Sequence, residues 1–381
     1  MSIIRLAVIL GFVGCASEAK DEDSTEGAIQ AIQLTSPPAD RGVPVGMQTV
    51  DHAGVTLEVW YPAVDDGTVT PDSLLDFVEF IPQSFIDAVP GFALPDVQSR
   101  VAPDAPARNA GEALPVILFS HGFGGMRIQS FSLAAHLASR GYVVVAPDHP
   151  GRMLTDVLPC IFSPPLAGCD LSGFGADPGP AGLEAALQWV DEASSEGPFA
   201  GRMDSELLGI IGHSAGAGSV TTFAAEESRV RAVVPMAGGG PPDAEVPLLR
   251  IDGSCDGFVP AAVPQSIDGR ADAAFVTIQG AGHLAFSDLC SLDIAGFAEE
   301  FLDPRDDLNG ALYPQLKGLG TDGCEAAAPQ VVSDDCPDAF LPLAESDEIV
   351  RYHTTVFFDR VLKGRTDWPE QSFDAATVYI P

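Results

Sequence analysis

Three residue types at wide spacing carry the chemistry: a serine inside Gly212-His213-Ser214-Ala215-Gly216, an aspartate pair in Ile251-Asp252-Gly253-Ser254-Cys255-Asp256, and the histidine of Gly280-Ala281-Gly282-His283. A serine hydroxyl is a poor nucleophile. It needs a base within hydrogen-bond reach, a carboxylate to orient that base, and donors for the oxyanion that develops as it attacks a carbonyl. Ser214 is the candidate nucleophile and His283 the candidate base. Asp256 is the preferred acid, because it falls beyond the end of a strand, whereas Asp252 still lies at the strand's end. The donors fall to two backbone N–H groups, that of Ala215 directly after the serine and that of Phe123 in the glycine-rich run His121-Gly122-Phe123-Gly124-Gly125.

The other histidines carry blander readings. His121 and His149 follow strands and brace turns, His213 packs inside the serine turn, and His136, His353 and His52 fall on helix faces or a loop. A metal site from His121, Asp148 and His149 has no supporting spacing, so neither a metal nor any other cofactor is expected.

The elements that must position these groups follow from hydropathy. Leu207 to Ile211 is an apolar run ending at the serine turn, and the small residues from Ala217 to Ala225 form a helix that packs closely on a sheet. A turn that sharp requires flanking residues without a Cβ, which Gly212 and Gly216 supply. Further strands are predicted at Val55–Pro62, Pro115–Ser120, Tyr142–Pro147, Ala232–Ala237, Val246–Ile251 and Ala274–Ile278. Helices are predicted at 128–139, 182–193 and 349–362. Strand, helix, strand across 115–147 is a right-handed parallel unit, and the whole reads as one α/β domain over 41–381. Insertions at about 64–113, 152–180 and 284–345 enlarge it, and they favour a covered pocket over an open groove.

The amino terminus carries Arg5, then the apolar run Leu6–Val13, then small residues around Cys15, which predicts a signal peptide over 1–14 and an exported chain. Phe12-Val13-Gly14-Cys15 is similar to the lipobox of bacterial lipoproteins, implying lipidation of Cys15; ordinary cleavage after Ala16 is the alternative. Residues 15–40 read as an acidic flexible tether. Lipidation implies an outer-membrane or cell-surface protein, and ordinary cleavage a periplasmic or secreted one.

With 54 acidic against 19 basic residues and a net charge of -35, the surface repels nucleic acid and anionic lipid. The membrane therefore enters only through the lipid anchor, and a monomer is expected. Setting aside Cys15, the six cysteines Cys160, Cys169, Cys255, Cys290, Cys324 and Cys336 form an even set suited to an oxidising compartment. Local pairing predicts Cys160 with Cys169, Cys255 with Cys290 and Cys324 with Cys336.

Nucleophile, acid and base in the order serine, aspartate, histidine is the α/β-hydrolase order. The glycine-rich run at 121–125, Ala135–Tyr142, the serine turn, Gly253–Pro260, Gly280–His283 and the closing Phe357–Gly364 together resemble one branch of that superfamily. It is the branch of dienelactone hydrolases, platelet-activating factor acetylhydrolases and cutinase-like polyester hydrolases, and the likeness spans roughly residues 48 to 363. The resemblance implies an α/β-hydrolase fold with a mostly parallel sheet, Ser214, Asp256 and His283 as catalytic triad, and Phe123 with Ala215 as oxyanion hole.

Departures bear on substrate. The loop Ala237–Pro241 lacks the aromatic usual in the polyester hydrolases, the serine turn runs into Ala217 rather than methionine and glycine, and the nucleophile is serine where dienelactone hydrolases use cysteine. Expected is a serine esterase for short or medium acyl esters, including lipid esters. A polyester hydrolase is the alternative on the same chemistry, and a non-catalytic surface lipoprotein that keeps the fold as a binding module is the alternative of another class.

Overall fold

A computed structural model describes residues 43–65, 74–88, 92–94, 96–99, 101–161, 165–170, 177–243, 245–292, 340–367 and 371–381. These described residues belong to one compact unit. The expected signal peptide, tether and Cys15 lie outside the described residues, as do Cys324, Cys336 and most of the third insertion.

Strands β1 (Val45–His52) and β2 (Val55–Pro62) form a hairpin, closed by Ala53 and Gly54, both at positive φ (49° and 80°). Positive φ at both central residues is the turn whose twist matches paired strands. The first insertion contributes short strands β3 (Leu74–Leu75), β4 (Val97–Gln98) and β5 (Ala102–Pro103), the last paired parallel to β1 at the sheet's edge. It also carries a 3-10 turn, Phe77–Phe80, and helix α1 (Gln83–Ala88). Strands β6 (Leu114–Ser120), β7 (Val143–Pro147), β8 (Met203–His213), β9 (Val230–Met236), β10 (Leu248–Gly253) and β11 (Ala273–Ile278) run parallel. The last strand, β12 (Ala376–Tyr379), joins β11 antiparallel. The ten-stranded order is β12-β11-β10-β9-β8-β6-β7-β2-β1-β5, an α/β-hydrolase sheet.

Each face of the sheet carries its own apolar layer, as helices flanking a mostly parallel sheet require. Helices α2 (Phe131–Ser139) and α6 (Leu343–Leu362) press Phe131, Leu137, Ile349 and Phe358 against one face. Between α2 and α6 in sequence come α3 (Leu154–Val157), α4 (Gly179–Ser195) and α5 (Ala215–Glu226). On the other face α4 and α5 supply Leu183, Leu187, Val220 and Phe223. The amphipathic pattern locates α4 and α6 correctly but starts both late: α4 begins at Gly179 and α6 at Leu343. Strands β1 and β12 are additions to the sequence reading, and His52 ends β1 rather than lying in a loop.

The first insertion is fastened through Arg127. Its guanidinium donates to Glu58, Glu79 and Asp148 and lies 4.5 Å from the centre of the Phe80 ring. Burial pushes the Glu58 carboxyl up to about 7 against the opposing pull of Arg127. Cys160 and Cys169 are joined as expected, and Cys255 and Cys290 are each disulfide-bonded.

Candidate active site

The C-terminal ends of β6, β8, β10 and β11 deliver the chemistry to one edge of the sheet, where α/β sheets bind ligands. Strand β8 ends at His213 and α5 begins at Ala215, so Ser214 alone makes the turn, at φ 57° and ψ -119°. A non-glycine residue there is strained, at a cost of order 1–3 kcal/mol, and persists only where its surroundings hold it. Here they do. The Ser214 N–H donates to the Met236 carbonyl at 2.9 Å, and the flanking glycines admit close backbone approach. A Cβ on Gly212 would stand 2.3 Å from the Gly216 carbonyl oxygen, and one on Gly216 would stand 2.0 Å from that of Ser120.

From the serine outward the bonds form a chain. Ser214 Oγ lies 2.9 Å from His283 Nε2, and His283 Nδ1 lies 2.8 Å from Asp256 Oδ2. Asp256 cannot donate as a carboxylate, so the Nδ1 proton points at it and the Nε2 lone pair faces the serine. The second carboxylate oxygen, Oδ1, accepts the N–H groups of Phe258 (2.9 Å) and Val259 (2.7 Å). The Phe258 ring stacks on the His283 imidazole at 5.1 Å, and His213 approaches it from another side at 4.8 Å.

Of the two aspartates, only Asp256 meets the histidine. Asp252 Oδ2 accepts from Arg250 Nε at 2.9 Å and from the Ala262 N–H at 2.8 Å, while Arg250 Nη1 reaches the Gly239 carbonyl at 2.7 Å. This buried pair fastens the loop that carries Asp256 to the loop after β9.

One candidate oxyanion donor directly follows Ser214 and the other directly follows Gly122, which lies against it. Ala215 opens α5, where the first N–H groups have no partner within the helix. Phe123 follows Gly122, and a Cβ on Gly122 would stand 3.2 Å from the Ser214 Cβ, so this turn lies against the serine. The second insertion supports it: Phe123 packs against Val157 and Cys160, and the Gly124 N–H donates to the Arg152 carbonyl at 2.8 Å.

Sequence reasoning missed one participant and under-read another. Gln129, 1 % exposed, accepts the Gly122 N–H on Oε1 at 3.1 Å and places Nε2 2.9 Å from His213 Nδ1. His213 does more than pack, since its Nε2 lies 2.9 Å from the His283 carbonyl oxygen. Gln129 lies in the turn before α2, which begins at Phe131 rather than at 128, and an uncharged amide gives no sequence signal of this kind. Behind the elbow, Ser120 Oγ lies 2.8 Å from His149 Nε2, the His149 N–H donates to His121 Nε2, and Arg152 donates to Ser120, to Ser219 and to the His121 carbonyl. Burial holds His121 and His213 at about 3 and His149 well below the usual imidazole range, so all three are neutral braces. Among the described residues no group of His, Cys, Asp and Glu could hold a metal ion, and no helix is long and apolar enough to cross a membrane.

Two family models and one solved structure are similar to this chain. The family of platelet-activating factor acetylhydrolase, isoform II, matches residues 51–155, and the PET hydrolase-like family matches residues 176–302. A ferulic acid esterase from Streptomyces cinnamoneus superposes with a TM-score of 0.56 at 22 % identity, covering 91 % of this chain and 98 % of that one. No curated protein matches the chain.

Proposed function

We propose that this ester hydrolase, a member of the α/β-hydrolase superfamily in the branch of acetylhydrolases and cutinase-like enzymes, is an exported serine esterase working through Ser214, His283 and Asp256. The observation that carries this reading is the continuous chain from Ser214 Oγ through His283 to Asp256, at 2.9 and 2.8 Å, on strand ends of one sheet.

His283 Nε2 takes the Ser214 proton as Oγ attacks the ester carbonyl carbon, and the carbonyl oxygen becomes an oxyanion held by the N–H groups of Ala215 and Phe123. The imidazolium then protonates the departing alkoxide, leaving an acyl-enzyme on Ser214. Water, deprotonated by the same nitrogen, attacks the acyl carbon; the proton returns to Oγ and the carboxylic acid leaves. Asp256 keeps the imidazole in the Nδ1–H tautomer and stabilises its cationic form throughout. Removing one oxyanion donor typically costs ~100- to 1000-fold.

The substrates proposed are carboxylic esters of short or medium acyl chains, lipid esters among them. A second reading, polyester hydrolysis, draws support from the PET hydrolase-like match, which spans all three triad residues. A binding module has less support, because strain at Ser214 is a cost that binding does not require.

Hydrolysis of p-nitrophenyl esters of increasing acyl length, with Ser214→Ala alongside, tests the proposal. Turnover lost in the variant is expected, and equal turnover by both proteins overturns it. Export and lipidation at Cys15 are read in a bacterial host by labelled-palmitate incorporation, which Cys15→Ser should abolish; equal labelling of both proteins contradicts that anchor.

A further inference from the structure

Resting on the roles of Ser214, His283 and Asp256 given above, we propose that Gln129 is a positioning residue of this site, setting the oxyanion turn, the elbow histidine and the base loop in one register. Its partners leave a single arrangement of protons. The Gly122 N–H can only donate, so Gln129 Oε1 faces it at 3.1 Å. The amide nitrogen therefore donates to His213 Nδ1 at 2.9 Å, which must present a lone pair. The proton of neutral His213 is then on Nε2, where the carbonyl of His283 accepts it at 2.9 Å. Every group is satisfied in one direction, from the peptide before Phe123 to the backbone of the base.

The same residue reaches the base loop a second way. Its main-chain carbonyl accepts the N–H of Asp288, five positions beyond His283, at 2.9 Å. Gln129, His213 and His283 are 1, 2 and 6 % exposed, so water offers little substitute for these bonds. Burial holds His213 neutral, with its pKa down at about 3, and a protonated ring would turn a second N–H toward the amide's own donors. A shift of 1 Å in such a constellation costs about 100-fold in rate.

The ionisable group bonded to the amide is His213 on the elbow; those one bond further on are His283 and Asp288 on the base loop and His121 beside Gly122, with Arg152 on the His121 carbonyl. They frame the test. Gln129→Leu removes both bonds at similar volume and should lower kcat about 100-fold while KM stays within about threefold. Gln129→Glu can accept from Gly122 and donate to His213 only when protonated. Its kcat, divided by that of the wild type at each pH to cancel the titration of His283 and the other shared groups, should rise at least ~10-fold from about pH 9 to about pH 6.

A flat ratio overturns the proposal, as does a Gln129→Leu enzyme with kcat within about threefold of the wild type. Should Gln129→Leu fail to fold, the Gln129→Glu ratio decides alone. Should the wild type hydrolyse no ester, the esterase reading fails separately, and nitrogen NMR of 15N-histidine-labelled full chain still decides. It should find the His213 proton on Nε2 and a hydrogen-bonded lone pair on Nδ1; a proton on Nδ1 in the wild type overturns the network whatever the substrate.

Discussion

Two serines of this molecule stand almost equally close to a histidine: Ser214 Oγ is 2.9 Å from His283 Nε2, and Ser120 Oγ is 2.8 Å from His149 Nε2. Everything around those pairs differs. His283 has Asp256 on its far nitrogen, whereas His149 Nδ1 has no partner among the described residues. Ser120 is fully buried on a strand and accepts from Arg152, while Ser214 is half-buried at a strained turn beside candidate oxyanion donors. A serine–histidine contact is therefore no sign of a nucleophile. The orienting carboxylate, access to substrate and donors for the oxyanion make the difference. The rear pair instead holds the strand ends in place.

The comparison breaks most sharply by removing each hydroxyl in turn. Ser214→Ala should lower ester kcat by ~10⁴ or more, and Ser120→Ala by less than ~10-fold, in a p-nitrophenyl ester assay. Similar losses would erase the distinction. Asp256→Asn leaves the front histidine as badly oriented as the rear one, and kcat should fall by about 10⁴ with little change in melting temperature. A loss under ~10-fold would show that Asp256 is not the orienting group.

Arg152 tests the structural side. Its side chain is 2 % exposed and ties Ser120, Ser219, Asp177 and the His121 carbonyl together. Arg152→Met should cost about 3–5 kcal/mol in denaturant unfolding, since it strands buried polar partners. A midpoint unchanged from the wild type would contradict the bracing role.

The smallest effect is on pH dependence. His121 is depressed to about 3 and His149 is also well below its unfolded value of 6.5, so between those limits the unfolded chain binds more protons than the folded one. The stability they contribute is present above about pH 6.5 and is lost as pH falls toward the folded values, by about 1 kcal/mol per pH unit for each ring. His149→Gln should reduce that slope in denaturant titrations from about pH 6 to 5, and an unchanged slope would show that His149 is not held neutral.

How far all this was legible in the sequence follows from what each feature rests on. The elbow was readable because Gly212, Ser214 and Gly216 have a steric reason for their spacing, and the parallel strands because continuous apolar runs such as Val143–Pro147 have one environment open to them. Strand β1 was not, since Gly46 and alternating polar residues interrupt it; the Tyr61 ring stands 2.3 Å from where a Gly46 Cβ would be, a reason that exists only once β1 and β2 pair. Strand β12 has four residues and too little pattern to register. In the sequence only its place in a loop favours Asp256 over Asp252, whereas the geometry separates them by partner: His283 for one, Arg250 for the other. Gln129 lay beyond reach because its role depends on folding Gly122, His213 and Asp288 around one amide.

The most direct test of the central claim is to treat the wild-type protein with a fluorophosphonate, which phosphonylates an activated serine, and to map the adduct by peptide mass spectrometry. One adduct per chain, located on Ser214 and absent from Ser120, is the expected result. An adduct on another serine, or none on a folded protein that still hydrolyses esters, would contradict Ser214 as the nucleophile.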